Sequence, residues 1–116
     1  MAKIALVDLD GVLNEYSGKY SEYDIPKIKK GAKEFLEKLA EDYDIEIFTV
    51  RNKIRTVEWL QDNEIIHLIK DITNVKNPYA SIIIDDRAIS FNGNFNKVLK
   101  QSKDFKPYWK NSFFKI

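Results

Sequence analysis

The sequence predicts an α/β fold with a mainly parallel sheet in a single domain. Short apolar runs at residues 4–7, 45–50 and 80–84 are typical of buried strands, and an amphipathic helical pattern separates the first two. A strand, a helix and a second strand in this order imply parallel pairing. The chain has 116 residues, which is enough for one core but too few for a separate substrate domain or a large cap.

The same periodicity predicts the other elements. Apolar residues from Pro26 onward recur at helical spacing opposite a charged face, and proline suits the first turn of a helix. Residues 14–23 are polar and aromatic and are expected to form a loop or a short flap over the end of the first strand. Helices are predicted at residues 26–42, 53–63 and 95–103, and further strands at residues 65–69 and 88–91.

The composition is that of an ordinary globular protein. Hydrophobic residues make up 44% of the chain and charged residues 32%, and no apolar run approaches the roughly 20 residues of a membrane span. Because the sequence has no cysteine and no basic and apolar leader, a cytoplasmic location is expected and zinc sites built on thiolates are excluded. The only histidine, His67, lies in an apolar stretch and is expected to be a core or strand residue without a catalytic role.

Charge is unevenly distributed, although the net charge is only +1. From Lys97 onward the chain has six lysines and one acid, Asp104, so the tail (residues 97–116) is basic and the body is acidic. The aromatic residues of the tail could dock on the sheet or helices and leave the lysines solvated, which is the commoner arrangement. They could instead bind a nucleic-acid strand by stacking, with lysines on the phosphates, or form a dimer contact.

Two carboxylates directly follow the first strand. Asp8 and Asp10 end the apolar run, and Gly11 then allows the backbone to turn. The carboxyl end of a strand in an α/β sheet opens onto the ligand crevice, so both aspartates are expected where ligands bind. Neighbouring carboxylates repel unless they share a proton or a cation, which favours a hard divalent ion such as Mg²⁺. Taken alone, the motif also fits an acidic turn without function.

Polar side chains also lie at the ends of two other apolar runs. Thr49 and Arg51 follow the second strand, and Asp85 and Asp86 follow the run at 80–84. Because parallel strands bring their carboxyl ends to one edge of the sheet, these side chains are expected to converge with the first two aspartates. The set suits phosphoryl transfer, in which an enzyme positions groups and neutralises charge on the phosphoryl oxygens.

The two aspartates of the first strand have distinct predicted roles. Asp8 is the predicted nucleophile, because a carboxylate can attack phosphorus and form an aspartyl-phosphate when a metal screens the repulsion. Asp10 is the acid/base candidate, which would protonate the leaving oxygen and then accept a proton from water. Arg51 could bind the substrate phosphate, and Arg87 could orient one of the aspartates that precede it.

These motifs resemble those of the haloacid dehalogenase superfamily, whose Mg²⁺-dependent phosphatases use an aspartate nucleophile, and the resemblance covers most of the chain. The four family motifs match residues 8–13, residues 45–49, Lys76 and residues 82–86. The resemblance implies a Rossmann-like three-layer sandwich without a large cap. It also implies that the catalytic residues are Asp8, Asp10, Thr49 and Lys76, with Thr49 and Lys76 binding the phosphate.

The resemblance further implies Mg²⁺ as the cofactor. Its ligands would be Asp8, the backbone carbonyl of Asp10, and Asp85 or Asp86, bound directly or through water. Which residue of the last pair binds the ion directly stays open at this point.

A closer likeness is to small hydrolase-like members in which a loop with lysine and proline precedes a strand and Asp-Asp-Arg-Ala-Ile. Residues 76–93 carry this likeness here. One departure is that Asn77 separates Lys76 from Pro78, so Lys70 remains an alternative for the catalytic lysine.

The sequence therefore predicts a capless enzyme that hydrolyses a phosphomonoester, with nucleotides and sugar phosphates as candidate substrates. The opening motif also resembles deoxyribonucleotide 5′-phosphatases, and the Asp-Asp-Arg motif resembles the phosphatase half of polynucleotide kinase/phosphatase. Processing of 3′-phosphorylated nucleic-acid ends is therefore an alternative. A further alternative is a domain that binds a phosphorylated ligand or a protein without catalysis. No membrane partner is expected, and the oligomeric state is open.

Overall fold

Four strands form one parallel sheet in the computed structural model, which describes residues 3–110. The strands are β1 (Lys3–Asp8), β2 (Tyr43–Phe48), β3 (Ile69–Thr73) and β4 (Ala80–Ile84). Their order is β3-β2-β1-β4, and every neighbouring pair is parallel. The predicted α/β class and parallel sheet are confirmed, and the carboxyl end of β1 lies between those of β2 and β4.

Three α-helices connect and follow the strands: α1 (Ala32–Leu39), α2 (Lys53–Asp62) and α3 (Phe95–Asp104). The second and third lie close to their predicted positions, whereas α1 is shorter than the predicted range 26–42. Ile28 forms an antiparallel bridge with Asn14, and Gly31 has a φ of 91° directly before the helix. The residues before Ala32 therefore hold the loop after β1 instead of extending the helix.

The third strand begins later than predicted. Residues Ile66–Leu68 form a 3-10 turn, and β3 starts at Ile69. Glu64 has a left-handed backbone with a φ of 58°, and the Ile65 N–H donates to the Leu60 carbonyl, which closes the end of α2 and buries Ile65. His67 is exposed on this turn, so its prediction as a core or strand residue is wrong.

The buried core lies on one face of the sheet, under α1 and α2. Val7 of β1 and Ile47 of β2 are register partners, and both are fully buried with Leu36 of α1 and Leu60 of α2. Burying each such side chain contributes about 1.5–3 kcal/mol. Because side chains alternate along a strand, the core position of Val7 directs Asp8 away from the helices, at the carboxyl end of the sheet.

The face of the sheet opposite α1 and α2 is contacted by the connection from β3 to β4. In this connection, Asn77 Nδ2 donates to both carboxylate oxygens of Glu46 in β2, at 3.3 and 3.2 Å. Helix α3 buries none of its residues, and Phe95 and Leu99 are 76% and 62% exposed. The helical part of the tail therefore contributes nothing to the core, whereas Tyr108 and Trp109 beyond it dock on the body of the protein, as expected for the aromatic rings of the tail.

Three further sequence expectations concern the end of the chain and membranes. Residues 88–91, predicted as a fifth strand, are not in a strand, and the sheet ends at β4. Residues 111–116 of the basic tail lie outside the described residues. Between residues 3 and 110, every helix is too short or too polar to cross a bilayer.

Candidate active site

Three aspartates meet where β1 and β4 end. Strand β1 ends at Asp8, and Asp85 and Asp86 directly follow the neighbouring parallel strand β4. One carboxylate oxygen from each aspartate lies within 4.8 Å of the others. Asp85 is exposed, whereas the Asp86 side chain is 1% exposed. The fold therefore brings together three of the predicted site residues, close enough to contact one ion.

The surroundings of Asp8 disfavour its charged form. Burial, followed by the close approach of the Asp86 carboxylate and the negative charges of Asp85, Asp86 and Asp10, raises the pKa of Asp8 to about 8. Within residues 3–110, the buried Asp8 Oδ2 and Asp86 Oδ1 have no hydrogen-bond partner. A divalent cation would satisfy these oxygens and remove the repulsion between the carboxylates, and hard cations prefer oxygen ligands. The donor set therefore fits a hard divalent cation.

Asp10 belongs to a different network from the three clustered aspartates. Arg51 Nε donates to both of its carboxylate oxygens, at 3.0 and 2.9 Å. Asn14, which is fully buried, donates from Nδ2 to Asp10 Oδ1 at 3.0 Å and accepts a hydrogen bond from the Gly11 N–H at 3.2 Å. Asn14 was not singled out from the sequence, although its local spacing from Asp10 is a detectable signal. These contacts fix the orientation of the Asp10 carboxylate.

Arg51 is enclosed beside Asp10. Its side chain is 0% exposed, and Nη1 donates to the backbone carbonyls of Ser21 and, at 3.1 Å, Asp24. The guanidinium also lies 4.9 Å from the centre of the Tyr20 ring. Arg51 Nε and Nη1 are thus directed to Asp10 and to the loop after β1, whereas Nη2 is buried without a hydrogen-bond partner among residues 3–110. Binding of the substrate phosphate by Arg51 stays a prediction.

A cleft of about 340 Å³ opens beside the aspartates. Residues from β1, β2 and the segment after β4 line it, including Asp8, Asp10, Thr49, Asp85 and Arg87. Thr49 is buried, and its Oγ1 accepts a hydrogen bond from the Arg51 N–H at 3.2 Å, so its own hydroxyl proton can be donated elsewhere. The Arg87 N–H donates to Asp85 Oδ1 at 2.8 Å. Four of the predicted site residues thus border one cavity together with Arg87.

The two candidate lysines lie in different places. Lys76 is exposed and borders a second cavity, of about 480 Å³, that also includes Asp85. Lys70 Nζ forms an ion pair with Asp44 at 2.9 Å, and this hydrogen bond and charge raise the pKa of Lys70. Because Lys70 is bound to Asp44 and Lys76 shares a cavity with Asp85, Lys76 is the better candidate for a site lysine.

Two aromatic residues near the C-terminus also contact the site. Trp109 Nε1 donates to Asp86 Oδ2 at 2.6 Å. The Tyr108 hydroxyl donates to the Gly11 carbonyl across 97 positions of sequence. No local pattern in the sequence relates Tyr108 or Trp109 to the aspartates, so neither contact is predictable from the sequence.

Gly11 is expected to tolerate no side chain. Its φ is 80°, and an added Cβ would overlap Asp86 Oδ2 and lie 2.8 Å from Asp86 Cγ. Gly93, with a φ of 100° and no atom within 4 Å of an added Cβ, is the matched control. Gly93→Ala is expected to lower the free energy of unfolding by about 1–2 kcal/mol through backbone strain. Gly11→Ala is expected to lower it by about 1–3 kcal/mol more, because the new methyl group overpacks the contact with Asp86. Urea unfolding in chelator measures both, and equal losses would contradict the close contact with Asp86.

Comparisons of the chain with protein-family models, with curated proteins and with solved structures find no match. The functional interpretation therefore depends on the site itself. Its components are a carboxylate cluster that fits a cation, an aspartate oriented by a buried arginine, and a threonine hydroxyl in the same cleft.

Proposed function

We propose that the protein is a Mg²⁺-dependent phosphatase of the haloacid dehalogenase type, which hydrolyses a phosphomonoester through an aspartyl-phosphate on Asp8. The observation that carries the proposal is the meeting of Asp8, Asp85 and Asp86 at the carboxyl edge of a parallel sheet, next to Asp10 and Thr49 in one cleft. The strand order is compatible with a Rossmann-like sandwich, and the small loop after β1 leaves the cleft open without a large cap.

The carboxylate cluster would hold the ion. Asp8, Asp85 and Asp86 supply oxygen ligands, and two of their buried oxygens have no hydrogen-bond partner among residues 3–110. When bound, Mg²⁺ supplies charge neutralisation for the nucleophile and the phosphoryl oxygens. Asp85 and Asp86 each supply an oxygen within 4.8 Å of an Asp8 oxygen, so either could contribute to holding the ion.

The chain supplies the groups for two successive displacements. In the first, an Asp8 carboxylate oxygen forms a bond to phosphorus while the ester oxygen leaves and takes a proton from Asp10. In the second, a water oxygen forms a bond to phosphorus and gives a proton to Asp10, while the bond between phosphorus and the Asp8 oxygen breaks, which releases inorganic phosphate and restores the Asp8 carboxylate. The two contacts with Arg51 Nε fix the orientation of the Asp10 carboxyl group beside the cleft. Thr49 can donate its hydroxyl proton to a phosphoryl oxygen.

Phosphate release from a panel of phosphomonoesters tests the proposal. The panel contains nucleotides, sugar phosphates and 3′-phosphorylated oligonucleotides, each with Mg²⁺ and with chelator. We expect release that requires Mg²⁺ and that Asp85→Asn reduces by tenfold or more. Asp104→Asn is the matched control, because it removes the same charge from an exposed position on α3. Release that persists in chelator, or no release from any member of the panel, would contradict the proposal.

A second candidate function is the processing of 3′-phosphorylated nucleic-acid ends. The exposed Phe95 and Leu99 and the exposed lysines of α3 leave this surface open for base stacking and phosphate contacts. We expect the protein to bind single-stranded DNA at low salt. Replacing Lys97, Lys100 and Lys103 with glutamine should abolish this binding. Equal binding by that variant, or no binding of the wild type at low salt, would exclude this candidate.

A further inference from the structure

We infer that Trp109 is a positioning residue that holds Asp86 in the orientation needed to bind a divalent cation, an inference that rests on the proposed function. Residues 107–109 would thus be part of the metal site, although none of these three is a ligand. The inference is carried by the contacts of Asp86, by the way in which the indole ring is anchored, and by the charge of the donor.

Asp86 is enclosed between Gly11 and Trp109. Its Oδ2 accepts a hydrogen bond from Trp109 Nε1 at 2.6 Å, and an added Cβ on Gly11 would overlap that same oxygen. Its Oδ1 is buried without a hydrogen-bond partner among residues 3–110. Arg87 Nε forms an ion pair with Oδ1 at 3.6 Å, too long for a hydrogen bond, and the Arg87 side chain is 58% exposed. One oxygen is thus fixed by the indole, and the other faces only this exposed, solvent-screened arginine, which a cation can replace.

The indole ring is itself held in place. Pro107 is buried, and the Tyr108 hydroxyl donates to the Gly11 carbonyl. The Trp109 ring contacts the Tyr16 ring edge-on, with 5.2 Å between the ring centres. The segment is therefore attached to the turn that follows β1, and a rigid donor fixes the carboxylate better than a mobile surface side chain would.

The chemistry of the donor suits a metal site. An indole N–H is neutral and can only donate, so it orients the carboxylate without cancelling its negative charge. A lysine or arginine at this position would compete with the cation for that charge. Partners of this kind behind metal ligands typically change metal affinity by 10- to 100-fold when they are removed.

Metal binding to two tryptophan variants tests the inference. Trp109→Phe removes the N–H that holds Asp86 and keeps an aromatic ring. Trp59→Phe is the matched control, because the Trp59 indole also donates one hydrogen bond, to the Pro26 carbonyl at 3.0 Å, away from the aspartates. In calorimetric titrations with Mg²⁺, we expect Trp109→Phe to weaken binding by about tenfold or more and Trp59→Phe to change it less than twofold.

The outcomes separate this inference from the proposed function. No Mg²⁺ binding by the wild type would overturn both. If the wild type and Trp109→Phe bind Mg²⁺ with equal affinity and the variant loses only stability in chelator, this inference alone would be overturned. Trp109 would then have a purely structural role.

A second measurement covers the case in which Trp109→Phe does not fold. The chain has two tryptophans, so Trp59→Phe leaves Trp109 as the sole indole fluorophore. We expect Mg²⁺ to shift its emission with the same midpoint that calorimetry gives. Unchanged emission while calorimetry records binding would overturn the inference.

Discussion

Replacing Asp8 with asparagine is expected to abolish phosphate release and, in the same protein, to stabilise the metal-free fold at neutral pH. The activity loss follows from removal of the nucleophile and is expected to be about a thousandfold or more. The gain in stability follows from the position of Asp8, which is partly buried beside Asp85 and Asp86 and is costly to ionise when no cation is bound.

The pH dependence of this effect has a definite sign. The pKa of Asp8 is about 8 in the folded protein, mainly because of burial, against an ordinary value of 3.8. Between about pH 4 and pH 8 the folded state therefore holds a proton that the unfolded state has released, so the metal-free wild type loses stability as pH rises through this window. Because Asp8 is only partly buried and solvent screens its charge, we expect a difference of about 1–3 kcal/mol at pH 8.

Urea unfolding in chelator at pH 4 and pH 8 measures this difference. Asp8→Asn should be more stable than the wild type at pH 8 and close to it at pH 4. Saturating Mg²⁺ should reverse the order at pH 8, because the ion stabilises only a fold that binds it tightly. A variant that is less stable than the wild type at pH 8 in chelator would contradict the view that Asp8 is under electrostatic strain.

Arg51→Met is expected to lower the free energy of unfolding by about 3–5 kcal/mol, more than any other substitution named above. Methionine retains much of the apolar stem but leaves Asp10 without its ion-pair partner and leaves the Ser21 and Asp24 carbonyls without their donor. The cost of breaking a buried ion pair by removing one partner is of this size. Activity should also fall, because Asp10 loses the contact that orients it.

Arg55→Met is the matched control for Arg51→Met. Arg55 also donates to a carbonyl of the loop after β1, that of Tyr23 at 3.2 Å, and pairs with Glu58 at 2.6 Å, but its side chain is 48% exposed. An exposed pair of this kind contributes about 1 kcal/mol or less. Urea unfolding of the two variants measures the contrast, and similar small losses would show that Arg51 does not tie the loop to β2.

The sequence predicts those parts of the site that are local to a strand end. An apolar run that stops at a carboxylate marks Asp8 and Asp85 as candidates, because the run is expected to be buried and its polar end to lie at the edge of the sheet. Parallel pairing then brings the two strand ends to one edge. The same reasoning finds Thr49 at the end of β2.

The sequence does not predict contacts that depend on the path of the chain between elements. Arg51 follows β2 in a position that suits phosphate binding, yet its side chain is directed to Asp10 and to two loop carbonyls. Trp109 reaches Asp86 only because residues 107–109 lie over the turn after β1. The late start of β3 depends on the left-handed backbone conformation of Glu64, which the hydrophobic pattern of the sequence does not predict.

The most direct test of the central claim is to look for a phosphoryl group on Asp8. Asp10→Asn should slow hydrolysis of the aspartyl-phosphate more than its formation when the substrate is para-nitrophenyl phosphate, whose leaving group needs little protonation. After acid quenching in the presence of Mg²⁺, peptide mass spectrometry should find the mass of one phosphoryl group on Asp8 in this variant and none in chelator. Turnover by the wild type with no phosphoryl group on Asp8 in the variant would contradict the account.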